Sequence, residues 1–519
     1  MARTSSDSVL VPVGRIGGKL DNDDPDYVFA PDIYLTLALA YDSLASPTVH
    51  LDAEGIFQPG YEEMQPRLAV GWSEQPNGDW IVRLRPNVFS HAGNELTAAD
   101  IAWTLDRVTA QGAMGCWRWR EVVGVERIEI IDRHTLRYCL RAPYPTFPNW
   151  LLSVSPNIID ATAVKAGATP QDPWGIGWLN AHVAGFGGFD LREMGAGHLV
   201  YGSRDRHWEG EAEAQCVEVR QFASRGETIK LLGESRPVVL VGLDPDETVG
   251  LLGREDLTVL RTWAGHLSVE IDFTQPPFDD IRVRQALACA TPSGRIIRDG
   301  LLGQGRRWRS PVKSISQGYS EAGWDFDFDL MRARELLSEA GYAGGFTSDF
   351  YVAQRADSLR IAEIIGEAWA KVGVELVTCD LQEAPRGWLP PLFLRTECAH
   401  NLSEPVYDII HDYAAMNPIL PAPGGAPHVG NWAPRWQKND EAISRIGKLL
   451  CERDRQSRRE QFDELQLWLT RFCSSIFIAE GQQVMASNRH VSASLASPNA
   501  RFYQALNHQN CTTNYLPER

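Results

Sequence analysis

FTQPPFDDIRVRQALACATPSGRIIRDGLLGQGRRWRSPV, from Phe273 to Val312, is the stretch from which the rest of this 519-residue chain is read. It opens as a short extended segment that breaks at Pro276 and Pro277. Asp279 and Asp280 then suit a helix cap and first turn, where carboxylates complement free backbone N–H groups and the helix dipole. Val283, Leu287 and Ala290 recur at i, i+4 and i+7, the stripe of a helix packed on one side. Thr291-Pro292 reads as the start of a second helix, with Thr as cap and Pro at the first helical position, and Gly300, Gly303 and Gly305 end it. Strand, turn, helix, helix and loop form a scaffold without chemistry of its own.

Moving outward, the segments on both sides keep the same mixture of strand and helix. Val9 to Val13, Asp79 to Leu84, VERIEII with HTLRYCL, CVEVRQF, PVVLVGL and Leu260 to Ile271 read as strands. Thr97 with Asp100 three residues on is a capping-box pattern, and Ile101, Leu105 and Val108 form the stripe of the helix behind it. After Val312, Ala333, Leu336, Leu337 and Ala340 line one helix face with Gly341 as C-cap. A strand over Phe346 to Ala353, a helix over Ser358 to Val372 and a strand over Val374 to Val377 form a βαβ unit, which implies parallel strands. Arg458 to Leu469 is an amphipathic helix with Phe462, Leu465 and Leu469 inward, and Ser475 to Ala479 is a strand.

Composition narrows the class. The chain is too long for one ordinary core, so two or three domains are expected. With 50 basic and 67 acidic residues the formal charge is −17, which repels a bare polyanion and argues against nucleic acid. No apolar run reaches the roughly 20 residues of a membrane helix. MARTSSDSVLVPVG has no apolar stretch of the signal-peptide kind, so as written the chain reads as cytoplasmic, or as periplasmic if a signal peptide was removed. The nine cysteines (Cys116, Cys139, Cys216, Cys289, Cys379, Cys398, Cys451, Cys473 and Cys511) show neither a CxxC pair nor metal-like spacing. Most are expected to be small buried groups.

Several motifs, in register, resemble those of the dipeptide, oligopeptide and nickel-binding family of extracytoplasmic solute-binding proteins that serve ABC importers. PPFDDIRVRQALA resembles the family signature at the opening of its second lobe. Tyr41-Asp42-Ser43-Leu44 is similar to YDTL, Pro66-Arg67-Leu68-Ala69 with Trp72 to PxLAxSW, and DFDFDLMRARELLSEAGYAGGF to YDPEKAKELLAEAGYxxGF. NAHVAGFGGFDLREMGAGHLVYGSRDRHWEG stands where relatives read NPVGTGPY and, further on, RNPxYWxG. There the GTGPY core has become Ala184-Gly185-Phe186-Gly187-Gly188-Phe189. A phosphate loop would need GK[ST] and a following helix, and neither is present.

The resemblance implies an α/β, two-lobe periplasmic-binding-protein-like fold of the large cluster C type, with an extra subdomain in the first lobe. Residues 1–265 would form lobe I, with the inserted subdomain over roughly 45–185, residues 266–485 lobe II, and 486–519 a return to lobe I. A ligand would sit between the lobes, at the carboxyl ends of sheet strands, and hinge closure would bury it. The expected contacts are Trp117 and Trp119, whose indoles flank Arg118, then Arg386 as partner of a ligand carboxylate, Trp388, and His411, Asp412, Tyr413 and Asn417. In relatives an Asp in the last of these loops anchors the ammonium of a bound peptide, and here the alignment places Ala414 near it, with Asp412 two residues away. That points to a solute other than an ordinary peptide, such as a sugar conjugate, an opine-like compound or an aromatic compound.

No HExxH, GxSxG, P-loop or EF-hand pattern occurs, so no catalytic residue and no cofactor are assigned. His400, His411 and His428 fall in one loop-rich stretch without metal-ligand spacing, and no metal is assigned either. The expected partners are a small-molecule ligand and, if the chain is exported, an ABC permease, with the chain itself a monomer. A second reading stays open: a cytoplasmic enzyme or sensor that keeps the fold and acts on a small molecule.

Overall fold

The computed structural model describes residues 8–13, 39–111, 119–120, 123–151, 158–179, 181–195, 197–210, 212, 214, 215–222, 224–314, 316, 318–383, 390–398, 409 and 440–491. Three sheets organise them. In the first, Ser8–Val13 pairs in parallel with Cys216–Gln221, which continues antiparallel through His198–Ser203 to Phe189–Gly195. The second is antiparallel, in the order Ala69–Glu74, Trp80–Leu84, Thr135–Leu140, Val125–Asp132. Helix Ala98–Gln111 packs beside it with Ile101, Leu105 and Val108 buried, as its spacing predicts. The capping pattern before that helix is half used. The Asp100 carboxylate accepts from both the backbone N–H and the hydroxyl of Thr97, at 2.8 Å each, so it caps the loop that precedes the helix.

The third sheet joins the whole chain. Its backbone is two long antiparallel strands, Leu257–Ile271 and Ser475–Asn488, paired along most of their length. At about 3.3 Å per residue the first runs for roughly 50 Å, long enough to pass from one body of the molecule into another. On one side Val239–Leu243 pairs with Ser475–Asn488. On the other, Leu392–Cys398 pairs antiparallel with Leu257–Ile271 and parallel with Phe346–Val352, which is itself parallel to Val374–Asp380. The helix Ala356–Ala370 connects those last two strands and buries Ile361, Ile364, Ile365, Ala368 and Trp369. The predicted βαβ unit is therefore present.

Residue 265 lies inside one long strand and residue 485 inside the other, so neither expected boundary falls in a loop. Ser475 to Ala479 is only the first part of a strand that runs unbroken to Asn488. The second sheet begins at Ala69, whereas Ala45–Leu51 and Phe57–Pro66 pair with each other and touch the long strand where Phe57 meets Thr262.

Around the opening stretch, Asp280 caps the helix Ile281–Ala290 and accepts from the Arg282 N–H at 2.8 Å, while Val283, Leu287 and Ala290 are fully buried. The next turn differs from the expectation. Its cap position is Pro292. The Thr291 hydroxyl instead donates back to Leu287 O at 2.7 Å and accepts from the Trp369 indole at 3.1 Å. A buried hydroxyl held by two partners in the first helix and its neighbour is not available as a cap.

The motifs that carry the family resemblance meet in space. Asp42 accepts from Arg67 Nε at 2.7 Å and Nη2 at 3.1 Å, and from the Trp208 indole at 3.3 Å. Arg67 also reaches both carboxylate oxygens of Glu209, at 3.2 and 3.3 Å. Arg85 stacks over the Trp208 ring, 4.4 Å from its centre. YDSL, PRLA and HWEG thus form one ion network, buried at Asp42 and Arg67 and reaching the surface at Glu209, that joins the first and second sheets.

The GFGG run has a packing cause. A Cβ at Gly185 would stand 2.2 Å from Ala40 O, and one at Gly187 would stand 2.5 Å from Ala40 C. Two backbones touch here, and Gly187 N–H donates to Ala40 O at 2.9 Å.

Candidate ligand-binding site

In open α/β sheets ligands gather beyond the carboxyl ends of strands, so a site is expected where strand ends meet near the middle of the third sheet. Phe346–Val352 runs into Gln354 and Arg355, and Arg355 pairs with Asp357 through two hydrogen bonds of 3.1 and 2.9 Å. Val239–Leu243 runs into Asp244, which caps the short helix Pro245–Val249 through a reciprocal capping box with Glu247. Burial raises the Asp244 carboxyl above the usual range, opposed by its hydrogen bond from the Glu247 N–H and by the Arg355 charge. Asp244 and Arg355, 111 positions apart, therefore sense each other's charge at the ends of strands on opposite sides of the two long ones.

A second polar group lies on the long strands themselves. Glu270 is 6% exposed and accepts from Ser268 Oγ at 2.7 Å and Ser475 Oγ at 2.6 Å, with Arg395 Nη1 3.9 Å away. Leu267, Val269 and Ile271 point to the opposite face and are buried in the main apolar core. The alternation leaves one side of the sheet apolar and turns its other side into a row of fixed polar groups.

The structure places Trp119, alone of the expected contacts, among the described residues, and it places it in the interior. Its indole is 5% exposed, stacks on Tyr138 at 5.6 Å and meets Phe147 and Trp150 edge-on. With Leu44, Ile101, Leu105 and Trp150 it lines a space of about 30 Å³, room for one or two waters and far below the roughly 300 Å³ of a solute pocket. Trp119 is placed as a packing residue of the second sheet, and the expectation of a cleft contact is not carried by it. Trp117, Arg386, Trp388, His411, Asp412, Tyr413 and Asn417 lie outside the described residues, as do His400 and His428.

Asp244, Arg355, Glu270 and Arg395 were not singled out from sequence. Arg355 could have been, because it stands three residues beyond a legible strand of a βαβ unit. Glu270 and Arg395 could not, since nothing in the sequence sets them side by side.

Chemically, these groups hold charge in fixed positions. Among the described residues no group of three or more His, Cys, Asp or Glu side chains could hold a metal ion. Cys139, Cys216, Cys289, Cys379 and Cys473 are free thiols. Burial pushes Cys289 up to about 11 and Cys473 up to about 12, which keeps both protonated and poorly nucleophilic. No helix among the described residues is long and apolar enough to cross a membrane.

The pattern described as bacterial extracellular solute-binding proteins, family 5 Middle, matches residues 63–392. The chain belongs to this family. Family 5 solute-binding proteins are extracytoplasmic, bind ligands and work with ABC permeases. The dipeptide-binding protein of Escherichia coli (strain K12) is 26% identical over 381 residues, covering 67% of this chain and 68% of its own. Heme-binding protein A of Haemophilus influenzae is 23% identical over 360 residues, 62% of each chain. Among solved structures, the periplasmic binding protein DppA of Helicobacter pylori in complex with the peptide STSA superposes with a TM-score of 0.76 at 18% identity, covering 96% of this chain and 97% of that one. AgaA of A. tumefacien R10 in complex with agropinic acid gives 0.72 at 16% identity, covering 97% and 98%. The fold is the α/β two-lobe fold of family 5, and this family 5 member is a solute-binding protein of an ABC importer.

Proposed function

We propose that this chain captures a small non-peptide solute between its two lobes and closes over it about a hinge at Gly265 and Gly481. The observation that carries the closure is a transverse row of glycines. Gly265 and Gly305 both lie opposite Gly481, so three strands cross the same level without side chains. The long pair is also irregular there, with register shifts between Trp263 and Gly265 and between Leu267 and Ser268. Strands without side chains at a bulge bend at low cost. Lobe I then comprises residues 1–265 and 486–519, with its inserted part over roughly 45–185, and lobe II residues 266–485.

The ligand class rests on the sequence after residue 410. The alignment of the sequence puts Ala414 near the relatives' ammonium-binding Asp, and burying an unpaired ammonium costs several kcal/mol. Zwitterionic peptides are disfavoured accordingly. Trp117, Arg386, Trp388, His411, Asp412, Tyr413 and Asn417 supply the contacts, Arg386 and Arg355 to a ligand carboxylate and the aromatic residues to apolar faces. The receptor is an exported monomer that presents its closed form to the permease.

The test is a thermal-shift screen of the purified chain against sugar–amino acid conjugates, aromatic acids, glutathione, heme and mixed di- and tripeptides. A bound ligand at a hundred times its Kd stabilises by about 2.7 kcal/mol, which moves the melting temperature visibly. The expected result is a shift with a non-peptide solute and none with peptides. A shift with dipeptides alone would overturn the ligand class. Turnover of a stabilising compound would instead favour the enzyme reading.

A further inference from the structure

Asp246 and Arg360 bridge the two lobes directly. Arg360 Nη1 donates to Asp246 Oδ1 and Nη2 to Oδ2, both at 3.0 Å, across 114 positions of sequence. Each partner is set in place by its own lobe. On the lobe I side, Pro245–Val249 is fixed by the Asp244–Glu247 capping box, so Asp246 projects from a helical first turn. Gln304, on the lobe II side and next to the glycine row, also donates its Nε2–H to Pro245 O at 2.7 Å, a second contact between the two sides. On the lobe II side, Arg360 stands in the helix Ala356–Ala370 and is tethered to Gly300 O by Nε at 3.2 Å and Nη2 at 2.8 Å. Neither side chain has to search for its partner, so little rotamer entropy is lost on pairing.

Asp246 follows the carboxyl end of Val239–Leu243, and Arg360 lies in the helix that follows Phe346–Val352; these two strands run in opposite directions, so their carboxyl ends approach the level of Gly265 and Gly481 from opposite sides. Rotation of lobe II away from lobe I about Gly265 and Gly481 must part them. Their side chains are 43% and 28% exposed, so the contact is wet and sensitive to salt.

We propose that the Asp246–Arg360 pair is a ligand-independent latch that holds part of the empty receptor closed and thereby sets its apparent affinity. The proposal rests on the two-lobe closure described above and adds a regulation that no ligand contact supplies. A latch raises the fraction of the binding-competent closed form, and apparent affinity rises in proportion to that fraction. An exposed bidentate pair shifts the closed-to-open ratio by about threefold.

The experiment is small-angle scattering of the full-length, ligand-free chain, fitted as a mixture of closed and open forms, at about 0.01 M and about 1 M salt. It compares the wild type with Asp246→Arg, Arg360→Asp, the double charge swap, and the milder Asp246→Asn, with circular dichroism reporting the fold of each. The single variants and high salt are expected to lower the closed-to-open ratio by about threefold, and the double swap to recover it at low salt. Asp246→Asn keeps the helix cap intact and decides the matter if a charge-reversed chain fails to fold. Equal ratios in all folded variants, or a double swap that stays as open as the singles, would overturn the latch. No ligand enters this measurement, so its failure is separate from any failure of the receptor reading.

Discussion

Gly265 and Gly481 face each other at the centre of the two long strands, and a Cβ on Gly481 would find only the Gly265 Cα, 4.0 Å away. Gly305, on the other flank of Gly481, is different. Its Cβ would stand 2.6 Å from Leu301 Cδ1 and 3.3 Å from Glu480 O. Gly481→Ala is therefore expected to change stability by less than about 1 kcal/mol, and Gly305→Ala to cost about 1 to 3 kcal/mol through overpacking. Urea denaturation of the two variants checks the contrast, and equal losses would show that the space beside Gly481 is no more open to a methyl group than that beside Gly305.

Arg67→Ala leaves Asp42 and Glu209 without their shared cation, with the Asp42 side chain only 4% exposed. Removing one partner of a buried pair costs about 3 to 5 kcal/mol, because the remaining charge is uncompensated. The loss should appear in chemical denaturation. A loss below about 1 kcal/mol would mean that the pair behaves as a surface ion pair.

Gly187→Ala should be severe, because the obstructing atoms are the Ala40 backbone rather than a flexible side chain. The expected loss exceeds about 3 kcal/mol, large for a single methyl group. A tolerated substitution, read by thermal melting, would contradict the close approach.

His91 gives a pH prediction. Burial holds its pKa down to about 3, helped by the Arg204 charge, and its Nδ1 accepts from the Gly185 N–H at 3.0 Å. The unfolded chain binds this proton near pH 6.5, so the unfolded state takes up more protons between pH 6.5 and about 3. Stability is then full above pH 6.5 and falls as pH drops through that window, at up to about 1.4 kcal/mol per pH unit for one group. His91→Asn should be less stable at neutral pH but lose less on acidification. Parallel stability curves for variant and wild type would show that His91 is not buried in its neutral form.

Much of the architecture is legible because it depends on local periodicity. Val283, Leu287 and Ala290, or Ile361, Ile364, Ile365 and Ala368, reveal their buried faces through spacing alone, and the βαβ unit follows from them. The ion network was legible only as three separate motifs. That Asp42, Arg67 and Glu209 meet depends on the pairing of distant strands, which no local pattern records. Trp119 illustrates the converse limit. An indole beside an arginine has the same sequence signature in a core as in a cleft, and burial against Tyr138 and Trp150 separates the two. A lobe boundary near 265 is expected from sequence, and the structure has a continuous strand there; the glycines that meet at this level come from three strands far apart in sequence, which no local pattern records.

The measurement closest to the central claim is native mass spectrometry of the purified chain, compared with the spectrum of the same sample after denaturation. A receptor that closes over its solute retains it through purification. The account predicts one discrete mass difference, released on denaturation, that corresponds to a single non-peptide organic molecule per monomer. A ladder of di- to pentapeptide masses, or a chain that binds no compound at all, would contradict it.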